Sequence, residues 1–135
     1  MKGARLVDHS GLGSQSRLSA ESMARALARV YGAGALKPIL KNIALKDAKG
    51  RKDKNHPVKV AAKTGTLYFV SGLAGYMTAA DGTEMAFAIF TADAKKRASL
   101  PKKLSDRPKG ASSWNTRAKR LQQNLIERWG TVYGS

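Results

Sequence analysis

Between Val58 and Thr91, short apolar runs broken by turn residues constrain this chain more than any other feature. Val58, Val60 and Ala62 alternate with Lys59 and Lys63, a period of two that puts each set on its own face of a strand ending near Thr66. A second apolar run extends from about Tyr68 to Ala79, with Gly72 and Gly75 inside it. Asp81-Gly82 is a residue pair that hairpin turns favour. Glu84 to Thr91, rich in Ala, Phe and Ile, reads as a third strand. Three strands with such short connections make an antiparallel meander. The third is almost uniformly apolar, as in a strand buried within a larger sheet. An isolated three-stranded meander would leave its edges open, so this pattern predicts that something pairs with the third strand.

Helical signals flank the meander. Ser10-Gly11-Leu12-Gly13-Ser14-Gln15-Ser16 is rich in glycine and serine and predicts a loop. Ser19 can cap a helix, with Glu21 in the first turn where the helix dipole favours negative charge. Met23, Leu27 and Val30 recur at helical spacing, and Gly32-Ala33-Gly34 ends the run after Tyr31. A short helix is expected around Pro38 to Asn42. Residues 46–56 hold six basic side chains, counting His56, and two aspartates, and predict a solvated loop. Residues 94–113 are basic and contain two prolines, and read as an irregular connection. Ser112 or Ser113 is expected to cap a last helix, with Trp114, Ala118, Leu121, Leu125 and Trp129 on one face.

The chain has 135 residues, enough for one domain with a modest core. Its 25 Lys+Arg against 9 Asp+Glu give a net charge of +16, which favours polyanionic partners. The absence of cysteine excludes disulfides, thiolate metal sites and a cysteine nucleophile. No apolar run approaches the ~20 residues that span a bilayer. The opening residues show no apolar signal core after Lys2. Read literally, that predicts a cytosolic chain; in a piece of a longer protein, any signal would lie upstream.

The residues best suited to chemistry are Lys63-Thr64-Gly65-Thr66, at the end of the first strand. A lysine on an edge strand offers a fixed positive charge to a substrate carboxylate, and the next hydroxyl can donate a hydrogen bond to it. Glycine lets ligand and backbone approach with no side chain between them. A backbone N–H near Thr66 can serve an oxyanion hole, and an open edge can hydrogen-bond an extended peptide.

Three segments in order carry a resemblance: Leu6-Val7-Asp8-His9-Ser10-Gly11-Leu12, then Val60-Ala61-Ala62-Lys63-Thr64-Gly65-Thr66-Leu67, then Val70-Ser71-Gly72-Leu73-Ala74-Gly75-Tyr76. Over roughly residues 5–92 the chain resembles the low-molecular-mass penicillin-binding proteins, specifically the serine-type D-alanyl-D-alanine carboxypeptidase/endopeptidase family (peptidase family S13). The resemblance implies an α/β (α+β) fold, with an antiparallel sheet and covering helices, forming the carboxy-terminal part of a penicillin-binding, β-lactamase-like transpeptidase domain. It divides the chain into a Ser-Gly-Leu loop and helix over 1–45, a meander over 57–92 and a terminal helix over 112–130.

Residue by residue, the resemblance implies that Lys63 and Thr64 bind the terminal carboxylate of a D-Ala-D-Ala stem peptide of peptidoglycan, or that of a β-lactam such as penicillin. Gly65 keeps the cleft open, Thr66 lies beside the acyl carbonyl, and Leu12 contributes an apolar wall. Asp8 and Ser10 shape their loop. Where the family continues Ser-Gly-Leu with Ser-Arg and then Asn, this chain has Gly13, Ser14 and Ser16, so the specificity for an acidic stem-peptide side chain is not inherited. The family's Ser-x-x-Lys nucleophile and its Ser-x-Asn motif precede the Ser-Gly-Leu loop, and neither can be placed here. Ser99-Leu100-Pro101-Lys102 matches Ser-x-x-Lys literally, but the motif needs a helical turn to bring lysine onto serine, and proline sits inside it. The chain alone is therefore expected not to acylate. No metal or organic cofactor is implied. A preceding amino-terminal segment, or self-association through the open sheet edge, is the expected partner, and the family's location implies the periplasm.

The competing readings are plain. Lys63 as a solvated strand-end lysine is one. A basic domain binding nucleic acid or an anionic surface is another, since residues 37–63 hold nine Lys/Arg and residues 95–120 hold ten. Nucleic acid is disfavoured because the aromatic residues fall in predicted cores and are not interleaved with the charge. Asp8-His9-Ser10 has triad residue types, but sequence neighbours cannot face one another as a triad does. His9 and His56 have no evident ligand partners, so a zinc site is not expected.

Overall fold

The computed structural model describes residues 4–10, 15–101 and 106–134. Helix α1 spans Ala20–Tyr31, and Ser19 caps it as expected, its hydroxyl accepting from the Ser22 N–H at 3.0 Å. The next segment differs from expectation. A single 3₁₀ turn at Lys37–Ile39 gives way to a two-residue strand, β1 (Lys41–Asn42), where a short helix was predicted. Strands β2 (Lys59–Leu67), β3 (Val70–Thr78) and β4 (Glu84–Ala92) form the antiparallel meander, so the sheet has four strands in the order β1-β2-β3-β4. The basic connection is not wholly irregular, because Asp93 caps a short helix, α2 (Ala94–Ala98), by accepting from the Lys96 N–H. Helix α3 (Ala111–Tyr133) completes the chain. The fold is α+β, with a sheet between helices.

Register assigns every side chain a face. Rows Lys59/Thr78/Glu84, Ala61/Tyr76/Ala86, Lys63/Ala74/Ala88 and Gly65/Gly72/Phe90 cross the sheet on the α1 side. The alternate rows, Val60/Met77/Met85, Ala62/Gly75/Phe87, Thr64/Leu73/Ile89 and Thr66/Ser71/Thr91, face α3. The main core lies on the α3 side, where Val60, Ala62, Leu73, Met77, Phe87 and Ile89 close over Ile126, with Leu45 and Val58 at its border. Two glycines set its thickness. A Cβ on Gly75 would lie 2.2 Å from the Ala61 carbonyl oxygen, so β2 and β3 approach there only because none exists. A Cβ on Gly130 would meet Val58 at 2.6 Å, so the end of α3 seats directly on the sheet.

The α3 face differs from the predicted one. Its buried residues are Ala111, Ala118, Gln122, Ile126 and Gly130, while Leu121 is 47% exposed. Trp114, Leu125 and Trp129 flank this stripe, half-buried. The cap also differs: Gly110 occupies the N-cap without a side-chain bond, and Ser112 and Ser113 fall inside the helix. The helix turned by one position because Gln122 has a buried partner, its amide donating to the Ser71 hydroxyl at 3.0 Å, so a polar residue replaces an apolar one at the centre of the contact.

On the opposite face α1 packs against β3 and β4. Tyr76, 1% exposed, donates its hydroxyl to the Leu27 carbonyl at 2.8 Å, and its ring tilts against Tyr31. Burial pushes the Tyr76 phenol pKa up, helped by the neighbouring Tyr31. Beside it, Glu84 accepts from Lys37 at 2.6 Å and from the Thr78 hydroxyl. Burial opposes the charged form of Glu84, but these bonds and the Lys37 charge outweigh it and hold the carboxyl below its ordinary range.

Strand β4 pairs with β3 and has no partner on its outer side among the described residues. Among the described residues it is an outer strand. Its burial alternates, with Phe87 and Ile89 buried and Phe90 42% exposed. No described helix is long and apolar enough to cross a membrane.

Candidate functional site

The site is built on the second half of β2. β1 pairs only with Ala61 and Ala62, and the Ile43 N–H adds one bond to the Val60 carbonyl. From Lys63 to Leu67 the outer edge of β2 therefore has no partner strand among the described residues. Lys63, Thr64, Gly65 and Thr66 are all exposed, whereas Val60, Ala61 and Ala62 are buried. Edge strands of this kind present backbone donors and acceptors to an incoming extended chain.

Lys63 forms no ion pair with a carboxylate among the described residues; its ammonium donates to the Thr64 carbonyl at 2.7 Å. Lys63 and Gly65 lie in the two rows of the α1 side that run past the Tyr76 row beneath α1. Those rows consist of Ala74, Ala88, Gly72 and Phe90, so the floor beside the lysine is small and shallow, with the Phe90 ring at its rim. A Cβ on Gly65 would meet nothing within 4 Å. The arrangement offers a cation, a hydroxyl, free edge amides and room for a ligand.

Thr64 and Thr66 project to the α3 side. There Thr66, Leu67 and Tyr68 line a cavity of about 470 Å³ with Arg107, Ser112, Asn115, Thr116 and Lys119. Asn115 donates its amide to the Leu67 carbonyl at 3.2 Å, which leaves its own carbonyl oxygen buried without a partner among the described residues.

Leu12 lies outside the described residues, together with Gly11, Gly13 and Ser14. The flanks of its loop are visible. Arg5 and Arg17 exchange two backbone hydrogen bonds, at 2.8 and 2.6 Å, and the Ser10 hydroxyl donates to Asp8 at 2.9 Å. Asp8 and Ser10 thus bond to each other within the loop.

Ser99 terminates α2, donating its hydroxyl to the Lys96 carbonyl at 2.9 Å; Lys102 lies outside the described residues. A second literal match, Ser113-Trp114-Asn115 to Ser-x-Asn, escaped the sequence reading. It lies on α3, where Ser113 donates to the Gly110 carbonyl and Asn115 to Leu67, on the side of the sheet away from Lys63. Neither stretch supplies a nucleophile beside the lysine. His56 accepts from the Val58 N–H at 3.1 Å, and no cluster of metal-binding side chains occurs among the described residues.

Comparison with known proteins is consistent with this geometry. The sequence pattern of the D-Ala-D-Ala carboxypeptidase 3 (S13) family matches residues 1–114, and the chain belongs to that family. The family is one of peptidases, hydrolases whose substrates are peptidoglycan peptides. No curated protein matches the chain, and no solved structure matches it.

Proposed function

We propose that the chain supplies the carboxylate-binding edge of a penicillin-binding serine D-Ala-D-Ala carboxypeptidase/endopeptidase, with the nucleophile on a preceding segment of the same enzyme. The supporting observation is the stretch of β2 that has no outer partner strand among the described residues, where a lysine with no acidic partner among them stands beside an open glycine. The Lys63 ammonium leaves the Thr64 carbonyl and pairs with the C-terminal carboxylate of the stem peptide, to which the Thr64 hydroxyl also donates. The edge of Gly65 and Thr66 holds the peptide extended, with the Thr66 N–H directed at the scissile carbonyl oxygen. The serine oxygen bonds to the carbonyl carbon, the C–N bond breaks, and D-alanine leaves with a proton on its nitrogen. Water then cleaves the acyl ester and returns the proton to serine. β-Lactams occupy the same edge through their own carboxylate.

The small floor of Gly72, Ala74, Ala88 and Phe90 suits coverage by the segment that carries the nucleophile, and the outer edge of β4 suits pairing with it. Such an enzyme works in the periplasm, where peptidoglycan lies. Fluorescent penicillin tests the reading. It labels the chain joined to its upstream segment, fails to label the 135 residues alone, and labels the joined Lys63→Ala variant at least ~10-fold more slowly, the loss expected when a charged binding partner is removed. Labelling of the short chain alone would refute the division of labour.

The net charge of +16 supports a second reading, a basic surface that binds polyanions without catalysis. Steeply salt-dependent retention on DNA, with no penicillin labelling of the joined protein, would favour it.

A further inference from the structure

The two-residue turn between β2 and β3, Tyr68-Phe69, is unusual. Phe69 has φ of 60°, the left-handed region, and it is the only described non-glycine residue there. Glycine adopts this conformation freely and a bulky residue rarely does, so the contacts of the side chain must hold it. Phe69 is 4% exposed. Its ring meets Trp114 of α3 edge-on, with centroids 6.2 Å apart, and the Lys96 ammonium of α2 stands 5.6 Å from the ring centre.

The turn's backbone is held as well. Three successive carbonyls, each from the end of β2 or the turn, are taken by three groups from later in the chain. Asn115 donates to Leu67 at 3.2 Å, Arg97 to Tyr68 at 3.4 Å, and the Asp93 N–H to Phe69 at 2.9 Å. This convergence falls directly after Thr66, where among the described residues β2 has no outer partner and is held laterally by β3 alone.

We propose that Phe69, packed against Trp114 in a turn whose Leu67 carbonyl is held by Asn115, is a positioning residue that fixes the Gly65-Thr66 end of the substrate-binding edge. The proposal rests on the reading of that edge as the carboxylate- and oxyanion-binding strand. It makes the carboxy-terminal helix part of the catalytic apparatus at one remove, because a donor aimed at a developing oxyanion loses its effect when displaced by a fraction of an ångström. Glycine at position 69 would make the same turn without strain, but it would give α3 nothing to grip.

Two measurements on Phe69→Gly and Asn115→Ala test it; the second variant removes one hydrogen bond and keeps the ring contacts, so it folds even if the first does not. In the 135-residue chain, backbone ¹⁵N order parameters at Gly65 and Thr66 should fall from about 0.85 towards about 0.6, while those at Ala61 and Tyr76 stay put. In the chain joined to its upstream segment, the penicillin acylation rate of Asn115→Ala should fall about tenfold or more with the melting temperature little changed. Equal loosening of all four positions would mean that the turn merely stabilises the fold, and would overturn the proposal. So would loosening at Gly65 and Thr66 with acylation unchanged, although the reading of the site would then stand. Failure of the unaltered joined protein to acylate would instead remove that reading, and this proposal with it.

Discussion

The two halves of β2 belong to one continuous strand and have opposite fates. From Val60 to Ala62 the strand is bonded on both sides, and all three residues are buried. From Lys63 to Leu67 one side has no partner strand among the described residues, and the four residues from Lys63 to Thr66 are exposed. The boundary is where β1 starts, because Lys41 pairs with Ala62. Had β1 begun three residues earlier, the Lys-Thr-Gly edge would be an interior strand with its donors and acceptors consumed. The shortness of β1 is therefore what leaves the edge from Lys63 onward without a partner strand among the described residues.

Two glycines on either side of this boundary, Gly75 opposite Ala62 and Gly65 opposite Gly72, give the largest contrast. Gly75→Val should abolish cooperative unfolding by circular dichroism, because its Cβ would sit 2.2 Å from the Ala61 carbonyl oxygen and 2.6 Å from the Ala62 Cα. Backbone cannot yield as a side-chain tip can, so a loss of about 3 kcal/mol or more is expected. A folded variant with near-native stability would show that the buried half of β2 is looser than described.

Tyr76→Phe probes the anchoring of the α1 side more gently. It deletes the hydroxyl that donates to Leu27 and should cost about 1 kcal/mol, read as a lower urea midpoint at constant slope. Acid gives a third probe. Glu84 has a folded pKa below its unfolded one, so its contribution is complete at neutral pH and disappears as the pH falls from the ordinary glutamate range through the lower folded value. Melting temperatures recorded across that window should drop less steeply for Glu84→Gln than for the native chain. A parallel drop would mean that the Lys37 and Thr78 bonds do not form in solution.

The smallest effect on stability belongs to Gly65→Ala. Nothing lies within 4 Å of its Cβ, so stability should change by less than ~0.5 kcal/mol. Penicillin labelling of the joined protein should nonetheless collapse, because the methyl group fills the space a ligand needs. Stability and labelling lost together would place Gly65 with the fold and not with the site.

Much of this could be read from short windows of sequence. Alternation around Val60, the cap at Ser19 and the Asp81-Gly82 pair each act within a few residues, and α1 and the three long strands form where those signals lie. Asp81 stabilises its turn locally, its carboxylate accepting from the Thr83 N–H and hydroxyl, while Gly82 takes φ of 89°. The Lys-Thr-Gly motif was legible for the same reason, as residue types whose chemistry is evident in one strand.

The tertiary structure decided what no window contains. The face that α3 buries is set by Gln122 reaching Ser71 across 51 positions and by Gly130 admitting Val58; polarity and small size disguise both as surface residues. The left-handed Phe69 is stabilised by Trp114 and by neighbours that hold its turn, Asn115 among them at 48 positions from Leu67. β1 exists only because two residues after a 3₁₀ turn meet Ala61 and Ala62. Local preference is worth tenths of a kcal/mol per residue, so wherever a distant contact offers more, packing wins and the sequence pattern gives no warning.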